Sequence, residues 1–132
     1  MAEESALWIY QLSSKQWSQG EYRLDVREGQ NVTWPMGSLR GPGEPEPGDR
    51  IVCWWAKTGA TEYGVVGWGT YVGAAYGDDI RWIPHPPTDR WSMSPLCSDE
   101  LEGIIDRIRG GFNNATMFLA SPQDSADLTA AI

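Results

Sequence analysis

Two adjacent tryptophans inside one strand constrain this chain more than any other feature. The run Asp49-Arg50-Ile51-Val52-Cys53-Trp54-Trp55-Ala56-Lys57 is dense in β-branched and aromatic residues, which favour extended backbone. Successive side chains of a strand point to opposite faces, so Trp54 and Trp55 must lie on different sides of the sheet they join. At most one faces that sheet's core side, and the other requires a helix, a ligand or water. A second run, Tyr63 to Val72, follows after Thr58-Gly59-Ala60-Thr61-Glu62, and this spacing predicts an antiparallel hairpin. Gly67 and Gly69 fall on one face of that second strand, where interior glycine marks a bulge or the close approach of another group.

The remaining elements are read from their punctuation. Ala6 to Leu12 is a first strand closed by Ser13-Ser14, and residues 14–20 read as a short helical turn with Trp17 inward. Gly29 to Pro35 is an extended piece whose proline biases Trp34 away from helix. Gly41 to Gly48, built from Gly, Pro and Glu, is a loop. Asp78 to Pro84 is a further strand. Ser98-Asp99-Glu100 opens a helix with the apolar stripe Leu101, Ile104, Ile105 and Ile108, ended by Gly110-Gly111. Ala115 to Leu119 is a short strand, and Ser121-Pro122-Gln123-Asp124 opens a final helix. Strands first and helices late, with hairpin connections, predict an α+β domain on a mixed or barrel-like sheet.

Several function classes are disfavoured by composition. At 132 residues, with 41% hydrophobic and 21% charged positions, the chain has the size and make-up of one globular domain. No apolar run approaches the ~18–20 residues of a membrane span, and the acidic start MAEESALW does not resemble a secretory signal. Cys53 and Cys97 are too few for a disulfide framework, which suggests reduced thiols and a cytoplasmic setting. Ten basic residues stand against 18 acidic ones, a net charge of −8. Gripping a phosphate backbone needs Lys and Arg, so contact with a nucleic acid would be local, through a pocket and a few of Lys15, Arg23, Arg27, Arg40 and Lys57.

Catalytic and metal chemistry find little support. The single histidine, His85, and the two isolated cysteines form no metal-ligand spacing and no nucleophile–base pair. Gly64, Gly67 and Gly69 lie within a β run and open no helix, so they do not make a phosphate loop. Lys57 and Glu62, across a turn, read as two solvated charges. Tryptophan is what stands out: eight in the chain, Trp8, Trp17, Trp34, Trp54, Trp55, Trp68, Trp82 and Trp91. Taken singly, most are core. An acidic, indole-rich chain is nevertheless suited to stacking on a flat ring, which yields roughly 1–3 kcal/mol per base without positive charge.

Several stretches, in order, resemble the EVE domain and its PUA-like relatives, among them the YTH domains. They are Trp8-Ile9-Tyr10-Gln11-Leu12-Ser13-Ser14, Trp34-Pro35-Met36-Gly37 with Arg40, Gly48-Asp49-Arg50-Ile51-Val52-Cys53-Trp54-Trp55, Gly64-Val65-Val66-Gly67-Trp68-Gly69, and Phe118-Leu119-Ala120-Ser121-Pro122 leading to Leu128 and Ile132. The resemblance spans nearly all of residues 1–132 and implies a single domain with a PUA-like, barrel-like mixed sheet flanked by short helices. The chain departs from the family where its Tyr-His pair is replaced by Trp54-Trp55, in the acidic Gly/Pro loop, and in the insertion Arg90 to Leu96.

By that resemblance the chain is a non-catalytic reader of a methylated or hydroxymethylated base in DNA or RNA, without cofactor or metal, in the manner of bacterial defence proteins that pair such a domain with an effector. Its pocket would be lined by Ser13, Ser14, Trp17, Trp34 and Trp55, with Trp82 or Tyr76 as a second ring. Trp34 would stack on the base, the second ring would close a sandwich, and the serines would read the Watson–Crick edge. On this reading Trp34→Ala removes binding and spares the fold. Two alternatives stay open: a sensor for a nucleotide-like metabolite or a protein, and a hydrolase of the related ASCH type with Lys57 and Glu62 as its nearest candidates.

Overall fold

The computed structural model describes residues 6–12, 26–37, 39–40, 43–56, 63–74, 79–110 and 115–132. Seven strands form one mixed sheet: β1 (Leu7–Leu12), β2 (Val32–Pro35), β3 (Leu39–Arg40), β4 (Arg50–Trp55), β5 (Gly64–Ala74), β6 (Asp79–Pro84) and β7 (Met117–Leu119), in the order β2-β6-β5-β4-β1-β7-β3. β4, β5 and β6 form an antiparallel meander, β1 lies parallel to β4, and β3 lies parallel to β7. Among the described residues three helices accompany the sheet: α1 (Thr88–Met93), α2 (Asp99–Arg109) and α3 (Pro122–Ala131).

Chain connectivity forces the sheet to curl. Its two edge strands, β2 and β3, are consecutive in sequence, with Pro35 and Leu39 only four residues apart. Laid flat, seven strands would hold their edges roughly 29 Å apart, whereas four residues reach at most about 14 Å. The sheet therefore rolls into a half-barrel. Gly37 sits in the crossing with φ +66°, and a Cβ there would lie 2.1 Å from Thr116 Oγ1, just before β7. Glycine satisfies both the backbone conformation and the close approach.

Each face carries its own core. On the concave face lie Trp8, Tyr10, Leu12, Trp34, Ile51, Cys53, Trp55, Val66, Tyr71, Ile80, Trp82 and Met117. On the other face, Leu7, Ile9, Val52, Trp54, Val65 and Phe118 meet Trp91 of α1, Leu101, Ile104 and Ile105 of α2, and Leu128 of α3. The adjacent tryptophans resolve accordingly. Trp55 points into the concave core, while Trp54 lies on the helix-bearing side, edge-on to Tyr63 at 6.2 Å. The register shifts of β5 against β4, between Cys53 and Trp54, and against β6, between Tyr71 and Gly73, are bulges of the sort that bend a strand.

The Gly48-Asp49 pair has a structural task. The Asp49 carboxylate, buried, accepts hydrogen bonds from the backbone N–H of Ala6 and Glu46 and from Trp8 Nε1, at 3.1, 2.8 and 3.2 Å. It thereby fastens the loop before β4 to the start of β1. The helix caps expected from the sequence are present: Ser98 Oγ accepts from Leu101 N and Ser121 Oγ from Asp124 N, both at 3.1 Å, and Gly110 closes α2 with φ +59°. Two elements escaped the sequence reading. β3 is only two residues long, and α1 occupies the stretch taken as an insertion because Pro86-Pro87 reads as loop and conceals the helix that starts beyond it. Residues 14–20 and 58–62, expected as a helical turn and a hairpin turn, lie outside the described residues.

Candidate functional site

The indoles of the concave face converge from separate strands. Val32 pairs with Trp82 and Trp34 with Ile80 in the β2–β6 ladder. This places Trp34 and Trp82 as diagonal neighbours on one face, within reach of large rings. Their ring centroids are 5.1 Å apart, tilted by 57°. Tyr10, from the middle of β1, meets Trp34 at 4.8 Å and 43°. Its hydroxyl donates to the Pro35 carbonyl oxygen at 2.5 Å, a bond across the hollow of the sheet, because β1 and β2 are not ladder neighbours. Gly69 makes room for Trp82: a Cβ there would lie 2.7 Å from Trp82 Cε3 and 2.1 Å from the Ile83 carbonyl oxygen. The glycine that the sequence flagged as a close-approach position thus accommodates an indole.

Of the expected pocket residues, the structure brings Trp34, Trp55 and Trp82 together in this cluster. Ser13, Ser14, Trp17 and Tyr76 lie outside the described residues, as do Lys57 and Glu62. The expected sandwich is corrected on one point. A flat ring held between two others separates them by about 7 Å, twice a carbon–carbon contact, and Trp34 and Trp82 are closer than that and tilted. They form adjoining walls instead of opposed jaws. The three indoles are 1%, 0% and 0% exposed in the order Trp34, Trp55, Trp82, so Trp34 also bears core packing and its truncation would not spare the fold.

Sequence reasoning missed Tyr10 as a member of the cluster. The signal was available in the alternation Trp8, Tyr10, Leu12, which puts a hydroxyl-bearing ring on the same face as the indoles. Burial holds the Tyr10 hydroxyl well above the ordinary tyrosine range, with the neighbouring Cys53 and Asp79 acting in the same direction. The hydroxyl is therefore a donor at every physiological pH. Trp82 Nε1 is buried with no hydrogen-bond partner among the described residues, an arrangement that costs roughly 1–3 kcal/mol unless an acceptor arrives.

The architecture has a solved counterpart. It is similar to the structure of a hypothetical protein from Leishmania major, with a TM-score of 0.57 at 14% identity, over 98% of this chain and 96% of that one. At that identity the likeness speaks to the fold alone. No family model matches the chain, and no curated protein matches it.

Among the described residues no group of three or more His, Cys, Asp or Glu side chains could hold a metal ion. Cys53 is buried on β4, Cys97 is exposed before α2, and neither joins a disulfide. No described helix is long and apolar enough to cross a membrane. His85 Nε2 lies 2.7 Å from Thr70 Oγ1 and its ring rests 5.0 Å from Trp68, a pairing that ties the segment after β6 to β5 beside α1.

Proposed function

We propose that this chain is a non-catalytic binding module for one planar heterocycle, a methylated or hydroxymethylated nucleobase of DNA or RNA, held against the concave indole cluster of a PUA-like, EVE-type fold. The single observation that carries the reading is a donor without an acceptor in an aromatic wall. Trp82 Nε1 lies buried and unpaired among the described residues, in a cluster that also holds the rings of Trp8, Tyr10, Trp34, Trp55 and Tyr71. Stacking supplies affinity without positive charge, which suits a net charge of −8. A heterocycle's ring nitrogen or carbonyl oxygen is the acceptor that the indole N–H lacks, and an added methyl group would sit among apolar atoms. The partner in this reading is a single extruded base, presented beside an effector protein or domain in the cytoplasm of a bacterium.

The test is a titration with adenosine, cytidine, N6-methyladenosine, 5-methylcytidine and 5-hydroxymethylcytidine, and with short oligonucleotides carrying each. It is followed by tryptophan fluorescence and by the indole N–H resonances. One modified base should quench emission saturably and move the Trp82 resonance. Trp82→Phe keeps a ring and removes the donor, and should weaken that binding by about tenfold, the worth of one buried hydrogen bond. Absence of any saturable response across the panel removes the proposal.

A further inference from the structure

A second feature lies on the opposite face of the sheet. α1 and α3 leave between them a cavity of about 380 Å³. Its floor comes from three neighbouring strands: Leu7 of β1, Arg50 and Val52 of β4, and Trp68 of β5, with Leu7 paired to Arg50 and Val52 to Trp68. Trp91 and Arg90 stand on the α1 side, Thr129 and Ile132 on the α3 side. Trp68 is fixed as a wall, since its Nε1 donates to the Pro86 carbonyl oxygen at 2.9 Å.

The charge at this cavity runs against that of the molecule. The chain has 18 acidic residues and 10 basic ones, so an arginine readily finds a carboxylate, as Arg107 does with Asp124 and Asp127 at 3.1 and 3.0 Å. The cavity's described lining includes Arg50 and Arg90 and no Asp or Glu. Arg50 is half-buried, and its guanidinium donates to Thr129 Oγ1 at 2.8 Å and Ser125 Oγ at 2.7 Å. Those neutral oxygens orient the group without neutralising it. Its Nε is buried and has no hydrogen-bond partner among the described residues. A partly desolvated cation without a counter-ion is unfavourable, and a carboxylate matches the guanidinium fork with two parallel hydrogen bonds.

We infer that this cavity binds a small aromatic carboxylate, with its acid group against Arg50, Arg90 as the second cation at the rim, and its ring against Trp68 and Trp91. The apolar floor selects against a heavily hydrated phosphate, whose higher charge and fuller hydration shell would be costly to strip there. The site shares no residue with the concave cluster, so it stands or falls independently of base binding.

The probe is 4-(trifluoromethyl)benzoate, followed by its fluorine resonance and by the backbone and indole N–H resonances of the protein. Saturable broadening is expected, with shifts at Leu7, Trp68 and Ile132. The neutral 4-(trifluoromethyl)benzyl alcohol should bind at least tenfold more weakly, as should the acid to Arg50→Met, because a charge-assisted hydrogen bond is worth about that factor or more. Equal binding of acid and alcohol, shifts confined to other surfaces, or displacement of the benzoate by equimolar inorganic phosphate would overturn the inference. Should Arg50→Met fail to fold, Arg90→Met decides, its side chain being exposed: weakened binding upholds the site and unchanged binding overturns it.

Discussion

Tyr10 is engaged at both ends of one side chain. Its ring packs on Trp34, and its hydroxyl is bonded to the Pro35 carbonyl across the sheet's hollow. Because burial raises its pKa in the folded state, the folded chain holds that proton more tightly than the unfolded chain, whose tyrosines titrate near about pH 10. The stabilisation is therefore complete below that pH and is lost as pH rises beyond it. Tyr10→Phe should lower stability at pH 8 by about 1 kcal/mol through the missing hydrogen bond. Between about pH 9.5 and 11.5 its urea midpoint should then fall less steeply than that of the parent chain. Equal slopes would show that the hydroxyl titrates normally. At this scale the sequence disclosed residue type and facing, as with Trp54 and Trp55. It could not disclose contact, because whether two indoles face a ligand or each other depends on a strand register set elsewhere.

At the scale of elements, the most consequential piece is the Pro35–Leu39 crossing. Gly37→Ala would need a left-handed backbone of a residue that resists it, and would thrust a methyl group into Thr116. The two effects together should cost about 2–4 kcal/mol, read as a lower urea midpoint with little change in slope; a loss below about 0.5 kcal/mol would mean the crossing relaxes freely. Strand and helix positions were legible where punctuation was strong: the β4–β5 hairpin, the serine caps of α2 and α3, and the Gly110 stop. β3 was not, since two residues carry no periodicity. Neither was α1, whose Arg90-Trp91 turn is preceded by prolines that ordinarily end structure. Gly69 was legible as a close-approach position, though only the folded sheet shows that the Ile83 carbonyl and the Trp82 ring are what approach it.

For the whole molecule, charge decides how any nucleic acid could be held. A surface of net charge −8 has few cations with which to displace counterions from phosphates. Binding to an oligonucleotide that carries the preferred base should therefore change with salt by a log–log slope no steeper than about −2. A slope of about −5 or beyond would reveal an extended basic track and contradict a local, stacking-led grip. The barrel-like α+β architecture could be anticipated from the order of strands and helices. The curl itself could not, because it follows from which strands become the edges, and edge status is a property of the finished sheet. The opposite-face cavity was equally invisible, since Leu7, Arg50, Trp68 and Trp91 are scattered along the chain and share no motif.

The edge-to-edge crossing also governs how the sheet loosens. In most open sheets the outermost strands fray independently, each a separate point of weakness. Here the outermost strands are tethered through a span of three residues, so unpeeling one tugs on the other. The two margins therefore do not loosen independently: one short loop couples them, and strain placed on either is handed to the other.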